Sequence, residues 1–294
     1  MKEMIEVSAP AKINLFLHIV GRRDDGYHLL ESLFAFTRRG DVIRIKEAES
    51  LSFEVVGPFA PALEAVGGGG RDNLVVRAAK VFAEKAGRPA HIAIELEKNL
   101  PVAAGIGGGS ADAAATLLAL NEYWQCGFDR QELEALALTL GADVPACLYP
   151  NPLYVTGIGE NIEPVSLPKE YAVLLVNPRV AVSTPAIFKA FHASGGPFDA
   201  SLENSDVFAG RKFEPFLFEQ SRNTLQKPAE SLCEVISDVL SELGDLGTAS
   251  YVAMSGSGAT CFALFDDVAL AETAEQVIAG KHAEWWTMVD ILQT

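Results

Sequence analysis

The stretch PVAAGIGGGSADAAA, residues 101–115, sets Gly105, Gly107, Gly108 and Gly109 between a strand-like HIAIELE and an alanine-rich helical run. Glycines there free the backbone for positive φ and let N–H groups approach an anion with no Cβ in the way. Ser110 is a natural N-cap, and the helix start adds roughly half a positive charge and several unsatisfied donors. The segment reads as a phosphate cradle, with a glycine-rich connector between strand and helix as the plainer alternative. Spacing excludes two common cradles. A Walker A loop needs Lys and then Ser or Thr directly after its last glycine, whereas Gly109 is followed by Ser110 and Ala111. A dinucleotide fingerprint needs glycine where Ser110 stands.

A chain of 294 residues with 49% hydrophobic content suits one large domain or two ordinary ones with a substantial core. It has no run of about 18 apolar residues and no signal-peptide h-region, so a cytoplasmic protein is expected. Cys126, Cys147, Cys233 and Cys261 are scattered, with no C-x-x-C pair, and read as buried free thiols. The net charge of −16 speaks against nonspecific binding to nucleic acid or an anionic membrane. An anion-binding loop on such a chain needs local offset from backbone dipoles, a few cations and a divalent metal carried in with the phosphates.

Along the chain, MIEVSAPAKINLFLHIVGRR reads as a strand, a turn at Ala9 and Pro10, and a second strand over 13–20. A charged loop with Gly26, Tyr27 and His28 follows, then the apolar LFAF and a further strand near DVIRIKE. GPFAPALEAVGGGGRDN reads as a surface connection. DNLVVRAAKVFAEKAG predicts a helix with Leu74, Ala78, Val81 and Phe82 on one face and Gly87 as its stop. Past the glycines, helices are predicted over 110–124 and from Asp129, with a capping-box acid, to Gly141. Asp143 falls just beyond, restricted by Pro145. From Leu153 short strands lead to YAVLLVNP, which opens an α+β half with an antiparallel sheet; PAESLCEVISDVLSELG is its helical stretch.

Lys12, in PAKINL before an apolar strand, is flanked by Ala11 and Ile13, which suggest partial burial; taken alone, it reads as a surface lysine at a strand end. Asp143 alone is a turn-capping acid. Together with a phosphate cradle and a metal, they supply what phosphoryl transfer to an alcohol needs: a carboxylate for the hydroxyl proton and a cation beside it. Tyr27 and His28 offer a stacking and hydrogen-bonding pair for a planar ring, or simply anchor their loop. SGSGA, residues 255–259, is a second glycine-rich turn between strands, equally a hairpin.

PAKINL, the P-x(3)-G-x-G-G-G-S loop and SGSGA stand in the order of the three motifs of the GHMP kinase superfamily, which the chain resembles over residues 8–265. The DGYH segment in PAKINLFLHIVGRRDDGYHLLESLF, with LGADVPACLYPNPLYVTGIGE and MSGSGATCF, sets it apart from the homoserine, mevalonate and galactose kinases. The resemblance implies an α+β, two-domain GHMP kinase fold, with a ribosomal protein S5 domain 2-like N-terminal domain over 1–163 and a ferredoxin-like C-terminal domain over 164–294. It implies an ATP-dependent kinase, with Mg²⁺, acting on the 2-hydroxyl of 4-diphosphocytidyl-2-C-methylerythritol in non-mevalonate isoprenoid biosynthesis. The partner is thus a small molecule carrying a cytidine diphosphate, with no nucleic acid or membrane, and the chain is a monomer or homodimer. By the same resemblance Asp143 is the general base and Lys12 its cationic partner. ATP lies along Pro101, Val102, Ala103, Ala104, Gly105, Ile106, Gly107, Gly108, Gly109, Ser110 and Ala111, with Asn73 and Lys98 near the adenosine. Asn14, Ser255, Gly256, Ser257 and Gly258 hold the substrate, Tyr27 and Phe188 stack on its base, and His28 bonds the base edge. Two departures stand out. Ala103 and Ala104 replace frequent glycines, and Ala111 replaces a serine, which leaves Ser110 for the metal. The alternatives are a homoserine- or mevalonate-type kinase, against which Tyr27, His28 and Phe188 speak, and a non-catalytic nucleotide-binding relative, against which Lys12 and Asp143 speak.

Overall fold

The computed structural model describes residues 3–202, 214 and 216–294. They gather into two compact units. The first comprises the residues up to Ala11, Arg39–Val102 and Gly107–Pro150; the second comprises Lys12–Arg38, Ala103–Ile106 and Asn151–Thr294. Two long strands, β1 (Ile5–Arg22) and β2 (His28–Glu47), pair with each other and contribute residues to both units.

Each of these strands is continuous where the sequence reading broke it in two. No turn forms at Ala9 and Pro10. The physical reason is Gly40 of β2, where a Cβ would lie 2.0 Å from the Ala9 carbonyl oxygen and 2.7 Å from the Pro10 Cα. Without a side chain at that point β1 runs straight past, and its proline is tolerated because β1 has a single strand partner in the sheet.

In the first unit β4 (Ile92–Glu97) runs antiparallel to β2 and parallel to β3 (Ser52–Val56), with Ile45 opposite Ile94 and Ile43 opposite Leu96. The two-residue period puts Ile43, Ile45, Ile92, Ile94 and Leu96 in the core. The helices are α1 (Ala60–Ala65), α2 (Leu74–Ala86), α3 (Gly108–Trp124), α4 (Arg130–Leu140) and the short α5 (Val144–Cys147). The predicted surface connection therefore contains α1. Gly87 ends α2 at φ 62°, as expected, but α2 buries Val75, Ala78, Ala79 and Phe82, a face rotated from the predicted Leu74 side. The reason is α3, which buries most of its residues and packs along α2.

In the second unit β5 (Leu153–Gly157) pairs with Leu30–Phe34 of β2 and with β6 (Asn161–Pro164). A separate antiparallel sheet has the order β10-β7-β9-β8, formed by β7 (Ala172–Asn177), β8 (Tyr251–Met254), β9 (Cys261–Phe265) and β10 (Trp286–Ile291). It carries α6 (Thr184–Ser194), α7 (Gln226–Leu232), α8 (Val235–Asp245) and α9 (Val268–Lys281). Leu174, Val176, Cys261 and Phe265 share one core with Ile236, Val239 and Ile278. PAESLCEVISDVLSELG is two helices, broken at Cys233 and Glu234. All four cysteines are free; Cys147 and Cys261 are buried, and Cys126 and Cys233 are only partly so. Among the described residues no helix is long and apolar enough to cross a membrane.

Candidate active site

Strand alternation brings Lys12, Asn14, Phe16 and His18 to one face of β1. Lys12 is 4% exposed; its Nζ donates to Asn14 Oδ1 at 3.4 Å and lies 3.9 Å from the Phe34 ring centroid. An ammonium so desolvated keeps its orientation through these contacts. Asn14 is fixed in turn: its Nδ2 donates to Ser32 Oγ at 2.8 Å, and Ser32 Oγ donates to the Phe16 carbonyl at 2.5 Å.

The first half of the glycine loop, Ala103–Ile106, packs in the same unit as this face. SGSGA forms the turn of the β8–β9 hairpin, as the plainer reading held, and it also braces the loop. Ser255 Oγ donates to the Gly105 carbonyl at 2.9 Å and accepts the Asn14 N–H at 3.1 Å. Thr260 N–H reaches the Ala104 carbonyl at 3.2 Å, and Lys12 N–H the Ile106 carbonyl at 2.9 Å. Gly105 has φ 73°, and a Cβ there would meet the Gly258 and Ser255 carbonyl oxygens at 2.6 and 2.7 Å. Ser255, read as a substrate contact, is fully buried with its hydroxyl committed to the backbone, so its action on a ligand passes through Gly105 and Asn14.

Two side chains that sequence reasoning missed hold the hairpin. Asn223 Nδ2 donates to the Met254 and Gly256 carbonyls at 2.8 and 2.7 Å, and Thr184 Oγ1 shares a 2.7 Å hydrogen bond with Ser257 Oγ. No local signal marks either one, since their partners lie far away in the chain.

In the first unit α3 opens at Gly108 with Gly107 as N-cap at φ 64°, two residues before the predicted Ser110. The left-handed glycine turns the chain into the helix early, and the first helical bond runs from Ala111 N–H to the Gly107 carbonyl at 2.9 Å. The N–H groups of Gly108, Gly109 and Ser110 thus have no intrahelical acceptor. A Cβ on Gly109 would meet nothing nearer than Leu74 Cδ1 at 3.8 Å, so the fold places no demand for glycine there. Ala111 is a core residue, 2% exposed.

Lys98 and Asn73, expected near the adenosine, are both engaged internally. Lys98 is 3% exposed, with Nζ held by Asp112 Oδ2 at 2.8 Å and by Asp41 Oδ2. Burial works against its charge, yet the two carboxylates outweigh it and hold Lys98 above its ordinary value. Burial likewise pushes the Asp112 carboxyl well up, against the pull of Lys98. Asn73 caps α2, accepting from Val75 N–H at 2.8 Å and donating to the Gly68 carbonyl at 2.6 Å. Asp143 occupies the N-cap position of α5, half-buried, with Pro145 in that helix's first turn.

At the other end of β1 the His28 ring lies 5.1 Å from Phe188 and 5.7 Å from Phe191, whereas Tyr27 is 61% exposed. Burial, then Arg22 and His192, lowers the His28 pKa, so the ring is neutral near pH 7. Its Nε2 is buried without a hydrogen-bond partner. Among the described residues no group of three or more His, Cys, Asp or Glu forms a metal cage. Open N–H groups with the half-buried Ser110 hydroxyl fit a phosphate and a cation travelling with it better than a dedicated metal site.

Residues 73–151 match the family described as GHMP kinases N terminal domain, and residues 208–282 match GHMP kinases C terminal. The chain is 47% identical to a 4-diphosphocytidyl-2-C-methyl-D-erythritol kinase of Agrobacterium fabrum, covering 95% of this chain and 93% of that protein. Its identity to the Ruegeria pomeroyi protein of the same name is also 47%, over 96% and 97% of the two chains. The crystal structure of a 4-(cytidine 5'-diphospho)-2C-methyl-D-erythritol kinase superposes with a TM-score of 0.80 at 33% identity, covering 99% of this chain and 100% of that one. A homoserine kinase from Cytophaga hutchinsonii, 20% identical with a TM-score of 0.69 over 99% and 95% of the chains, shares the fold. Two α+β domains, a glycine loop braced by the SGSGA hairpin and this similarity along nearly the whole length agree: the chain belongs to the 4-diphosphocytidyl-2-C-methyl-D-erythritol kinases of the GHMP kinase superfamily.

Proposed function

We propose that this chain transfers the γ-phosphoryl group of ATP to the 2-hydroxyl of 4-diphosphocytidyl-2-C-methyl-D-erythritol, in the cytoplasm. The observation that carries the reading is the start of α3: unsatisfied N–H groups beside a Gly109 that the fold itself does not require. The β- and γ-phosphates lie against these N–H groups and the helix dipole. Ser110 would hold Mg²⁺, which when bound would neutralise charge on the phosphates. Asp143 takes the hydroxyl proton as the oxygen attacks. Lys12, desolvated and aimed by Asn14 and Phe34, stabilises the charge developing on that oxygen. Neutral His28, next to Phe188, bonds the cytosine edge, with Tyr27 covering the base from the solvent side.

The test is ADP release by the purified protein with ATP and Mg²⁺, comparing the diphosphocytidyl substrate with homoserine and mevalonate. ADP is expected with the first alone. Folded protein that releases no substrate-dependent ADP rules the reading out, and turnover of homoserine or mevalonate reassigns the acceptor.

A further inference from the structure

The two stems of the glycine loop meet at one buried ammonium. Lys98, at the exit of β4, is held by Asp41 of β2 and by Asp112 of α3, and all three side chains are at least 96% buried. Asp41 also anchors the stem leading into the loop: its Oδ1 accepts the N–H groups of Asn99 and Leu100 at 2.6 and 2.8 Å. On the far stem, Gly108 and Asp112 stand four residues apart on one face of α3. The space beside Gly108 is filled by the cluster itself, since a Cβ there would lie 3.1 Å from Lys98 Nζ and 3.6 Å from Asp41 Oδ2. Asp112 Oδ1, the oxygen not bound to Lys98, is buried without a hydrogen-bond partner.

Such an arrangement is expensive as a source of stability alone. Two acidic side chains and one ammonium are withdrawn from water, and one oxygen is left without a partner; an apolar trio of similar volume avoids that desolvation. What ions supply that methyl groups do not is a fixed direction. We infer that Asp112 is a positioning residue for the nucleotide: by holding Lys98 against Gly108 it sets where the first turn of α3 presents its N–H groups to phosphate. This rests on the kinase reading, and it turns Lys98 from an adenosine contact into the staple of the loop.

The experiment compares Asp112→Ala, which removes the grip of α3 on Lys98 and leaves that of Asp41, with Asp112→Asn, whose amide oxygen still accepts from Nζ. Steady-state kinetics and calorimetric titration with ATP and Mg²⁺ are run on each folded protein. For Asp112→Ala, KM and Kd for ATP are expected to rise tenfold or more, with kcat and the KM of the alcohol substrate within twofold of the parent. Asp112→Asn is expected to bring ATP affinity back to within threefold. Unchanged ATP affinity in Asp112→Ala overturns the inference, as does a fall confined to kcat or to the fraction of active protein. So does an Asp112→Asn that binds ATP no better than the alanine variant. If Asp112→Ala does not fold, Asp112→Thr, whose hydroxyl is too short to reach Nζ, takes its place under the same requirements. Should the parent fold and bind ATP but turn over no acceptor, the kinase reading fails by itself, and the calorimetric comparison still decides the role of Asp112.

Discussion

A methyl group on Gly105 would press against two backbone carbonyls at a φ of 73°, while one on Gly109 would touch only a leucine methyl at 3.8 Å. Gly105→Ala is therefore expected to lower stability by about 2 to 3 kcal/mol through strain and displacement of the hairpin. Gly109→Ala, inside the first turn of α3, is expected to keep or raise stability by up to about 1 kcal/mol and to weaken ATP binding. Thermal melts paired with ATP titration separate the two; equal loss of stability in both variants contradicts the assignment. Asp143→Asn is expected to lower kcat by a factor on the order of 10² or more with little effect on the melting temperature, if the carboxylate accepts the hydroxyl proton. An unchanged kcat removes Asp143 from that role. His18 packs against the Phe16 and Phe216 rings, which also touch each other, with both its nitrogens buried and unpartnered. Burial lowers its pKa; Arg222 adds to this, while Asp199 and Glu31 oppose it. The unfolded chain thus takes up a proton that the folded chain refuses as pH falls through about 6.5. Stability contributed by neutral His18 is present above that pH and lost below it. His18→Phe is expected to melt with a shallower decline between pH 7.5 and 5.5 than the parent, and identical declines count against the argument.

At the scale of elements, α4 begins with a reciprocal capping box, in which Asp129 Oδ1 accepts Glu132 N–H at 3.0 Å and Glu132 Oε2 accepts Asp129 N–H at 3.2 Å. Asp129→Ala is expected to cost about 1 kcal/mol, readable in urea unfolding; a cost near zero means that tertiary packing alone fixes this end. Such boundaries were legible because their chemistry is local. The α4 cap, Gly87 at the end of α2 and the strand before the glycine loop are each written within a few residues. The continuity of β1 and β2 was not legible, because it depends on Gly40 standing opposite Ala9 and Pro10, some thirty residues away. The start of α3 was misplaced for a subtler reason: glycine and serine both suit an N-cap, and a left-handed Gly107 takes the role first. In the candidate site the motif residues were readable, whereas the tasks of Ser255, Lys98 and Asn73 towards their own backbone and neighbours were not. Residue type announces capacity for a hydrogen bond, and only the fold says where that bond goes.

At the scale of the whole molecule, neither unit is a single stretch of chain, and both draw on β1 and β2. A division at one position, such as residue 163, follows the order of the motifs; the compact units instead interleave, so unfolding either one disturbs strands that the other uses. Calorimetry is expected to show a single transition, with calorimetric and van't Hoff enthalpies equal within error; two resolved transitions refute this. The net charge of −16 makes every placed cation matter, and this chain hides two of them, Lys12 and Lys98, away from solvent. Lys12 stands first in the row Lys12, Asn14, Phe16 and His18, spaced two by two along β1, and the row carries a consequence for heredity. A substitution at one member leaves the others where they are, but the gain or loss of a single codon between the Gly40 crossing and Lys12 would turn the whole row to the opposite face. The length of β1 is thus held more strictly in the descendants of this chain than any one of its side chains.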